Sequence, residues 1–295
     1  ARNLLAAFFR EARSAGRELP IRMRNGFDPE YAVQLNALMR EVFDFDFDFW
    51  FRRGMWSDKY ESFSLIDAGR MVAHVGVSRM KLRVKGKEFF AIQLGGVATS
   101  PEARGQGYMR RLLGGVLRRY AETPVFLFAN DSVSDFYPKF GFSAARTMRP
   151  VARLSIDNPF EPERCTPDAA APLAGKRRFP SAVFDVLDCR ELRCFHLFGG
   201  YADRLLRLGP GLAVAAEQCG DTLLLHELLC DRPVDWETLA ARLPFRNIRR
   251  VEFGFPPDRL GVEFDWETPP EPEHLFLRGG WDLPENFCIP AFAVT

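Results

Sequence analysis

The stretch that decides the fold is GGVATSPEARGQGYMRRLL, which occupies residues 95–113. Its first part is an apolar run with the character of a strand, and it ends at Ser100 and Pro101. A glycine-rich turn follows, and from Gly107 the apolar residues take the i, i+3, i+4, i+7 spacing of an amphipathic helix. We therefore predict a strand, a glycine turn and a helix, in that order.

The start of this helix is a candidate anion site. Glycines at 105 and 107 permit backbone torsions closed to other residues and let a ligand approach the main chain. The first-turn N–H groups lack acceptors within the helix and lie at the positive end of its dipole, and Arg104 adds a fixed charge. The pattern lacks the third glycine of GxGxxG and the GK[ST] of a P-loop, so it predicts another kind of phosphate site. The alternative is a turn that needs its glycines for geometry alone.

Two segments together resemble a known family. Arg104-x-x-Gly107-x-Met109 is similar to the (Gln/Arg)-x-x-Gly-x-(Gly/Ala) signature of the GNAT superfamily of N-acetyltransferases. Further along, Asn130-x-x-Val133-x-x-Phe136-Tyr137-x-x-Phe140-Gly141-Phe142 resembles the family's Asn-x-x-Ala-x-x-Phe-Tyr-x-x-x-Gly-Phe segment, in the order that the family requires. Met109 departs from the family's usual small residue, which bears on how closely a pyrophosphate can lie.

The resemblance implies where acetyl-CoA binds. It places the pyrophosphate at the glycine turn, the pantetheine arm on Asn130, and the thioester oxygen at the backbone N–H of Val97 or a close neighbour. The implied cofactor-binding residues are Val97, Ala98, Thr99, Arg104, Gly105, Gln106, Gly107, Tyr108, Met109, Asn130 and Phe136. Tyr137 is the implied catalytic acid for the departing thiolate, and a phenol with a pKa of about 10 is protonated at neutral pH. Without the motif, Tyr137 is an aromatic residue packed at a helix end, and Asn130 is a turn or cap residue.

The implied reaction is transfer of an acetyl group from acetyl-CoA to a primary amine, by direct attack in a ternary complex. The expected acceptor is a small molecule or a peptide amine. The alternative is a non-catalytic acyl-CoA-binding or regulatory protein that keeps the fold.

The length of 295 residues exceeds the usual range of one domain, which predicts two. An aperiodic, Pro- and Ala-rich stretch marks the boundary. We predict an N-terminal helical extension at 1–24, a GNAT domain at 25–156, a linker at 157–179 and a C-terminal α+β domain at 180–295, with a degenerate GNAT copy as one interpretation of the last. The expected fold class is α/β: a GNAT fold with a mixed, mostly antiparallel twisted sheet flanked by helices, plus the smaller C-terminal domain.

Hydrophobic periodicity supplies the other elements. In the first domain we predict a helix at Pro29–Phe43, strands at Ser62–Ile66, Arg70–Val84, Glu88–Thr99 and 124–129, and a short helix before Phe140. In the second domain we predict strands at Leu212–Glu217, Thr222–Leu229, Arg249–Phe255 and His274–Leu277, and a helical stretch at about Asp235–Arg242.

The base that accepts the amine proton has four candidates. His74 lies on a predicted strand, where it faces either the acceptor cavity or the core. Glu41 and Asp44 lie near the acceptor side in the family layout. The fourth is the C-terminal carboxylate of Thr295, because the tail FCIPAFAVT is too apolar for a loose end.

The segment FDFDFDFW at residues 43–50 is a candidate acceptor site. If it is extended, Asp44, Asp46 and Asp48 share one face and the Phe residues share the other. Such a face would attract a cationic amine, with His74 as a further weak candidate. The alternatives are a solvent-facing carboxylate row over packed Phe residues, or a calcium loop, although no EF-hand spacing follows.

Composition excludes several other classes. The chain has 40 basic and 39 acidic residues, which gives no global argument for nucleic acid or an anionic membrane surface. No run of residues is apolar for the length that a bilayer requires. The six Cys form no CxxC pair and the His residues lack zinc spacing, so we predict reduced thiols, a cytoplasmic location and no metal.

Overall fold

The computed structural model describes residues 19–130, 133, 135–175, 180–271 and 273–295. Most of the predicted N-terminal extension, at residues 1–18, lies outside this part of the chain. The described residues fall into two compact units. The first unit comprises the chain up to Arg79 with Gln93–Thr123, and the second comprises Met80–Ile92 with Pro124–Thr295. The chain passes from one unit to the other within two long strands.

The first unit carries the glycine turn. Its elements are β1 (Arg22–Asn25), α1 (Pro29–Phe43), α2 (Asp48–Phe51), β2 (Tyr60–Asp67), the first part of β3 (Arg70–Val84), the last part of β4 (Lys87–Thr99), a 3-10 turn (Pro101–Ala103) and α3 (Tyr108–Arg119). The strands follow the order β1–β2–β3–β4, and the first two pairs are antiparallel. The predicted helix at Pro29–Phe43 is confirmed, as are the strands around the hairpin turn.

Helix α1 begins and ends on local signals. Asp28 caps its start, because its carboxylate accepts the N–H of Tyr31 at 3.1 Å, and proline occupies the first turn. The helix ends at Asp44, which has a left-handed backbone and donates its N–H to the carbonyl of Arg40. The buried face contains Tyr31, Ala32, Leu35, Asn36, Leu38 and Met39.

The segment after α1 is not extended, so the predicted row of three carboxylates on one face is wrong. Asp44 has a left-handed φ of 59°, and Asp48 begins the short helix α2. Buried Asn36 holds this turn from α1, because its amide donates to Asp48 and accepts the N–H of Phe47 at 3.0 Å. The segment therefore folds back on α1 instead of following the period of two that its sequence suggests.

The second unit contains the later part of β3, the first part of β4, and the rest of the chain. Its further elements are β5 (Val125–Phe128), a 3-10 helix (Tyr137–Phe140), β6 (Ser143–Ala145), β7 (Arg149–Ile156), α4 (Pro167–Ala174), β8 (Phe184–Val186), α5 (Arg190–Phe198), β9 (Leu205–Gly209), β10 (Leu212–Cys219), β11 (Thr222–Cys230), α6 (Trp236–Ala240), β12 (Ile248–Phe253), β13 (Asp265–Glu267), β14 (Leu275–Arg278) and a 3-10 turn (Ala291–Ala293).

Two strands of this unit pair far from their neighbours in sequence. β14 lies between β5 and β6 and is antiparallel to both, with Leu275 opposite Phe128 and Ala145. Conversely, β7 pairs with β12 in a six-stranded sheet of order β13–β7–β12–β11–β10–β9. The sheet that contains β5 and β6 thus includes β14 from beyond the predicted linker. The six-stranded sheet includes β7 from before it.

The predicted linker itself contains a helix. Thr166 caps α4 by accepting the N–H of Ala169 at 3.3 Å, and α4 packs against α5 and β11. Nearby, β11, α6 and β12 form a parallel crossover whose core includes Leu223, Leu239, Val251 and Phe253. The predicted helical stretch near Asp235 is therefore confirmed.

The exchanged strand β14 gives a stability prediction. Leu275 is fully buried between two partner strands, whereas Leu277 on the same strand is only partly buried. We expect Leu275→Ala to lower the free energy of unfolding by about 2–4 kcal/mol, and Leu277→Ala to lower it by less. Urea denaturation of the two variants measures the difference, and equal losses would contradict this placement of β14.

Candidate functional site

The glycine turn has the geometry that its sequence predicts. The 3-10 turn Pro101–Ala103 ends at Arg104, and φ is then 76° at Gly105 and 77° at Gly107. This is the left-handed region that side chains with a Cβ rarely adopt. A Cβ at either glycine would meet no atom within 4 Å, so the space in front of the turn is open. The turn therefore offers an accessible main chain that a ligand can approach.

The start of α3 has backbone donors without a capping side chain among the described residues. Gly107 is the N-cap, and no described side chain caps the helix. The N–H groups of the first turn consequently have no acceptor in the helix and lie at its positive end. Arg104 is exposed and forms no ion pair with any described residue, so its charge is available beside them. Together these groups suit a phosphate or pyrophosphate.

Helix α3 holds this turn in place through its opposite face. Leu112, Leu113 and Val116 are fully buried, and Tyr108 anchors the first turn with 6% of its surface exposed. At Gly115 the helix lies so close to the residue before β1 that a Cβ would come within 2.4 Å of Ile21. The predicted residues Gln106 and Met109 are exposed and half-buried, respectively.

The end of β4 supplies the other predicted cofactor residues of this unit. Val97 and Thr99 are half-buried and Ala98 is buried. Just before them, Gly96 has a left-handed φ of 55° within β4. The N–H of Ser100 donates to the carbonyl of Val72 at 3.0 Å and ties the end of β4 to β3.

His74 is buried and bonded on both ring nitrogens. Its Nδ1 lies 2.7 Å from the carbonyl oxygen of Gly96, and its Nε2 lies 2.8 Å from Oγ of Ser62. Burial lowers the pKa of His74 to about 4, although the Gly96 bond opposes this effect. In this arrangement the imidazole is neutral and has no free lone pair for an amine proton.

The other carboxylates considered as bases differ in their surroundings. Glu41 contacts Arg70 at 2.9 Å and accepts a hydrogen bond from Ser100 at 3.2 Å. Asp44 is exposed. Thr295 is also exposed, and the residue before it is fixed, because the carbonyl of Val294 lies 2.7 Å from Nε2 of His196.

The remaining two aspartates of the acidic segment form ion pairs. Asp46 lies 2.7 Å from the guanidinium of Arg40 and accepts the N–H of Asp48 at 2.9 Å. That backbone bond, more than Arg40, lowers the pKa of Asp46. Asp48 lies 3.5 Å from Arg52. These carboxylates are therefore neutralised in part by nearby arginines.

An aromatic cluster lies beside this segment, and sequence reasoning identified only part of it. Trp50 contacts Tyr60 with ring centroids 5.5 Å apart, and Phe51 stacks on Trp56 at 5.1 Å. Tyr60 was missed because nothing in its strand sequence marks it. Its hydroxyl lies over β3, where a Cβ at Gly76 would come within 2.6 Å of it. Burial raises the pKa of Tyr60.

In the second unit, the predicted acid lies in a short 3-10 helix. Tyr137 is 4% exposed and contacts the rings of Phe136, Phe142 and Phe276. Its hydroxyl makes no hydrogen bond to another described residue, and burial raises its pKa to about 12. Gly141 ends the helix with a left-handed φ of 81°. The phenol is thus protonated throughout the neutral range.

Asn130 lies just beyond the end of β5. The preceding residue, Ala129, donates its N–H to the carbonyl of His274 at 2.9 Å, and the carbonyl of Asn130 accepts the N–H of Val133 at 3.0 Å. The side chain of Asn130 is exposed, and that of Phe136 is half-buried. The side-chain amide of Asn130 is therefore accessible to a ligand.

Metal and membrane features are absent from the described residues. No group of three or more His, Cys, Asp or Glu within that part of the chain can hold a metal ion. None of its helices has the length and apolar character needed to cross a membrane.

Comparisons with known proteins agree with the predicted fold. Residues 27–145 match the family described as Acetyltransferase (GNAT) domain. A probable N-acyltransferase of unknown function from Enterococcus faecalis superposes with a TM-score of 0.55 at 11% identity, covering 88% of this chain and 72% of its own. Eis1 from Mycobacterium abscessus gives 0.53 at 13% identity, covering 88% and 73%. A GCN5-related N-acetyltransferase from Kribbella flavida gives 0.51 at 15% identity, covering 88% and 72%. No similar sequence was found among the curated proteins. The family resemblance and the α/β fold class are confirmed.

Burial of His74 makes the stability of the folded protein depend on pH. In the unfolded chain its pKa has the ordinary value of about 6.5, whereas the folded value is about 4. The unfolded state therefore binds more protons in this window, and stability falls as pH drops. Between about pH 7 and pH 4.5 we expect His74 to contribute a loss of about 2–3 kcal/mol.

Urea denaturation of the wild type and of His74→Asn at the two pH values measures this loss in the free energy of unfolding. The other histidines remain in both proteins, so the difference between the two pH dependences isolates His74. Identical pH dependences would contradict the buried, neutral imidazole.

Proposed function

We propose, on the premise that residues 27–145 belong to the GNAT acetyltransferase family, that this protein transfers an acetyl group from acetyl-CoA to a primary amine. The observation that carries the proposal is the open helix start at Gly107, where no described side chain caps the first-turn N–H groups and Arg104 is exposed beside them. The expected acceptor is a small molecule or a peptide.

The residues of the first unit fit the phosphate end of the cosubstrate. The N–H groups of the first turn of α3 bind pyrophosphate oxygens, and the two glycines let these oxygens approach the main chain. Arg104 supplies the compensating positive charge. Met109 is half-buried at the second position of the helix.

The pantetheine and thioester contacts come from strand ends. The backbone of Val97, Ala98 and Thr99 offers hydrogen-bonding groups to the arm, and the exposed amide of Asn130 offers another. Phe136 is half-buried and presents part of its ring to a ligand.

The chemical step is direct attack of a neutral amine on the thioester carbonyl. A C–N bond forms and the C–S bond breaks, while the N–H of Val97 or a close neighbour stabilises the transient oxyanion. Tyr137 gives its proton to the departing thiolate, and burial ensures that the phenol carries this proton at neutral pH. Among the carboxylates proposed to accept the amine proton, Asp44 and the C-terminal carboxylate of Thr295 are exposed, whereas Glu41 is engaged by Arg70.

Calorimetry with CoA tests the pyrophosphate site. We expect Arg104→Glu to weaken CoA binding by about 10–100-fold, because a charged hydrogen bond is lost and a repulsion is gained. Arg259→Glu is the matched control, since it makes the same change of charge at an exposed arginine of the second unit. Equal affinities of the two variants, or no heat with the folded wild type, would overturn the proposed function.

Release of free thiol from acetyl-CoA in the presence of an amine panel tests catalysis. We expect Tyr137→Phe to lower kcat by about 10²–10⁴-fold without changing the affinity for CoA. Tyr201→Phe, which alters a half-buried tyrosine outside the motif, is the control. Tight CoA binding without turnover on peptide, lysine, polyamine, antibiotic or metabolite amines would indicate the non-catalytic acyl-CoA-binding protein instead.

A further inference from the structure

A chain of buried hydrogen bonds runs from α1 to Gly96 on β4. Oη of Tyr31 lies 2.8 Å from Oγ of Ser62, which lies 2.8 Å from Nε2 of His74. Nδ1 of His74 lies 2.7 Å from the carbonyl oxygen of Gly96. Tyr31 is 4% exposed, and Ser62 and His74 are fully buried. Three elements of one unit therefore converge on a single carbonyl group.

The carbonyl at the end of these hydrogen bonds determines the direction of each of them. A carbonyl oxygen only accepts, so Nδ1 of His74 carries the hydrogen. The buried ring is neutral, and its Nε2 consequently accepts the hydroxyl hydrogen of Ser62. The oxygen of Ser62 then accepts from the phenol of Tyr31. The chain is directed from Tyr31 to Gly96, and each bond polarises the next.

The carbonyl of Gly96 and the N–H of Val97 belong to the same peptide unit. This unit is planar and trans, so its C=O and N–H point in opposite directions. A bond that fixes the carbonyl oxygen therefore also fixes the direction of the N–H. It further withdraws electron density from the amide and makes the N–H a stronger donor.

The left-handed backbone at Gly96 makes such a restraint necessary. Its φ of 55° is accessible to glycine at little cost, but glycine also has many alternative conformations. A Cβ at this position would lie 3.4 Å from two atoms of the His74 ring and 3.6 Å from Sδ of Met39. The ring thus packs directly against the backbone of Gly96 as well as bonding to it.

We propose that His74 is a positioning residue, which holds the Gly96 carbonyl so that the Val97 N–H points toward the thioester oxygen of the acyl donor. This inference rests on the proposed function, and it gives His74 a role other than that of a base. The residue acts through the peptide unit and does not touch the reacting atoms.

Two amide substitutions separate the two ends of the imidazole. In His74→Asn the side-chain amide occupies the place of Nδ1 and can still donate to Gly96. In His74→Gln the amide reaches the place of Nε2, keeps the contact with Ser62, and leaves the Gly96 carbonyl unbonded. We expect Gln to lower kcat by about 10–100-fold with little change in the KM for acetyl-CoA, and Asn to stay within about threefold of the wild type.

A purely structural role predicts the opposite order. Asn is the smaller side chain and leaves the larger cavity in a fully buried site, so it is expected to be the less stable variant. Ser62→Ala is a further control, because it cuts the chain one bond upstream and leaves the His74–Gly96 bond in place. The proposal is overturned if kcat follows the stability of the variants, or if Ser62→Ala loses as much kcat as His74→Gln.

A readout independent of turnover keeps this test separate from the proposed function. With ¹⁵N-labelled valine, the amide resonance of Val97 reports the orientation of the peptide unit in the protein alone. We expect it to shift or broaden in His74→Gln and to remain close to the wild type in His74→Asn. Identical spectra for the two variants overturn the positioning role even where turnover is observed. Absence of CoA binding by the wild type overturns the proposed function while leaving the spectral comparison valid.

Discussion

The N–H groups at the start of α3 are the constraint on which the rest of this structure depends. They have no acceptor within the helix, Gly107 has no side chain to cap them, and two left-handed glycines keep the space before them open. Such a site is useful only if the helix cannot move. The fully buried leucines of α3 and its close approach to Ile21 provide that rigidity. An open glycine turn is thus attached to a helix whose opposite face is fully buried.

Strand β4 likewise combines accessible backbone groups with support from the buried side. Val97 and Thr99 are partly accessible, while the peptide unit between Gly96 and Val97 is held from the buried side by His74. Polar groups in a core are costly unless every donor and acceptor is satisfied. The bonds from Tyr31 to Gly96 meet this condition, so the interior can direct a backbone amide without exposing a charge.

The features that were predicted from the sequence are those that depend on neighbouring residues. The glycine turn, helix α3 and the hairpin at 85–87 follow from glycine torsions and periodicity, which are local. The acidic segment was misjudged because Asn36 and Arg40, on another element, fold it into a turn. The hydrogen bonds of His74 to Ser62, and of Ser62 to Tyr31, could likewise not be predicted, since these residues meet only in the folded chain. Pairing of β14 with β5 carries no local signal at all.

That pairing also sets the order in which the chain can be completed. During synthesis, β5 and β6 emerge from the ribosome long before β14, the strand that lies between them. Until β14 has been made, the edges that it pairs with stay open on both strands, and contacts between such distant segments form slowly. Open edges can pair with other chains, so β5 and β6 are exposed to aggregation for longer than strands whose partners follow them closely in sequence.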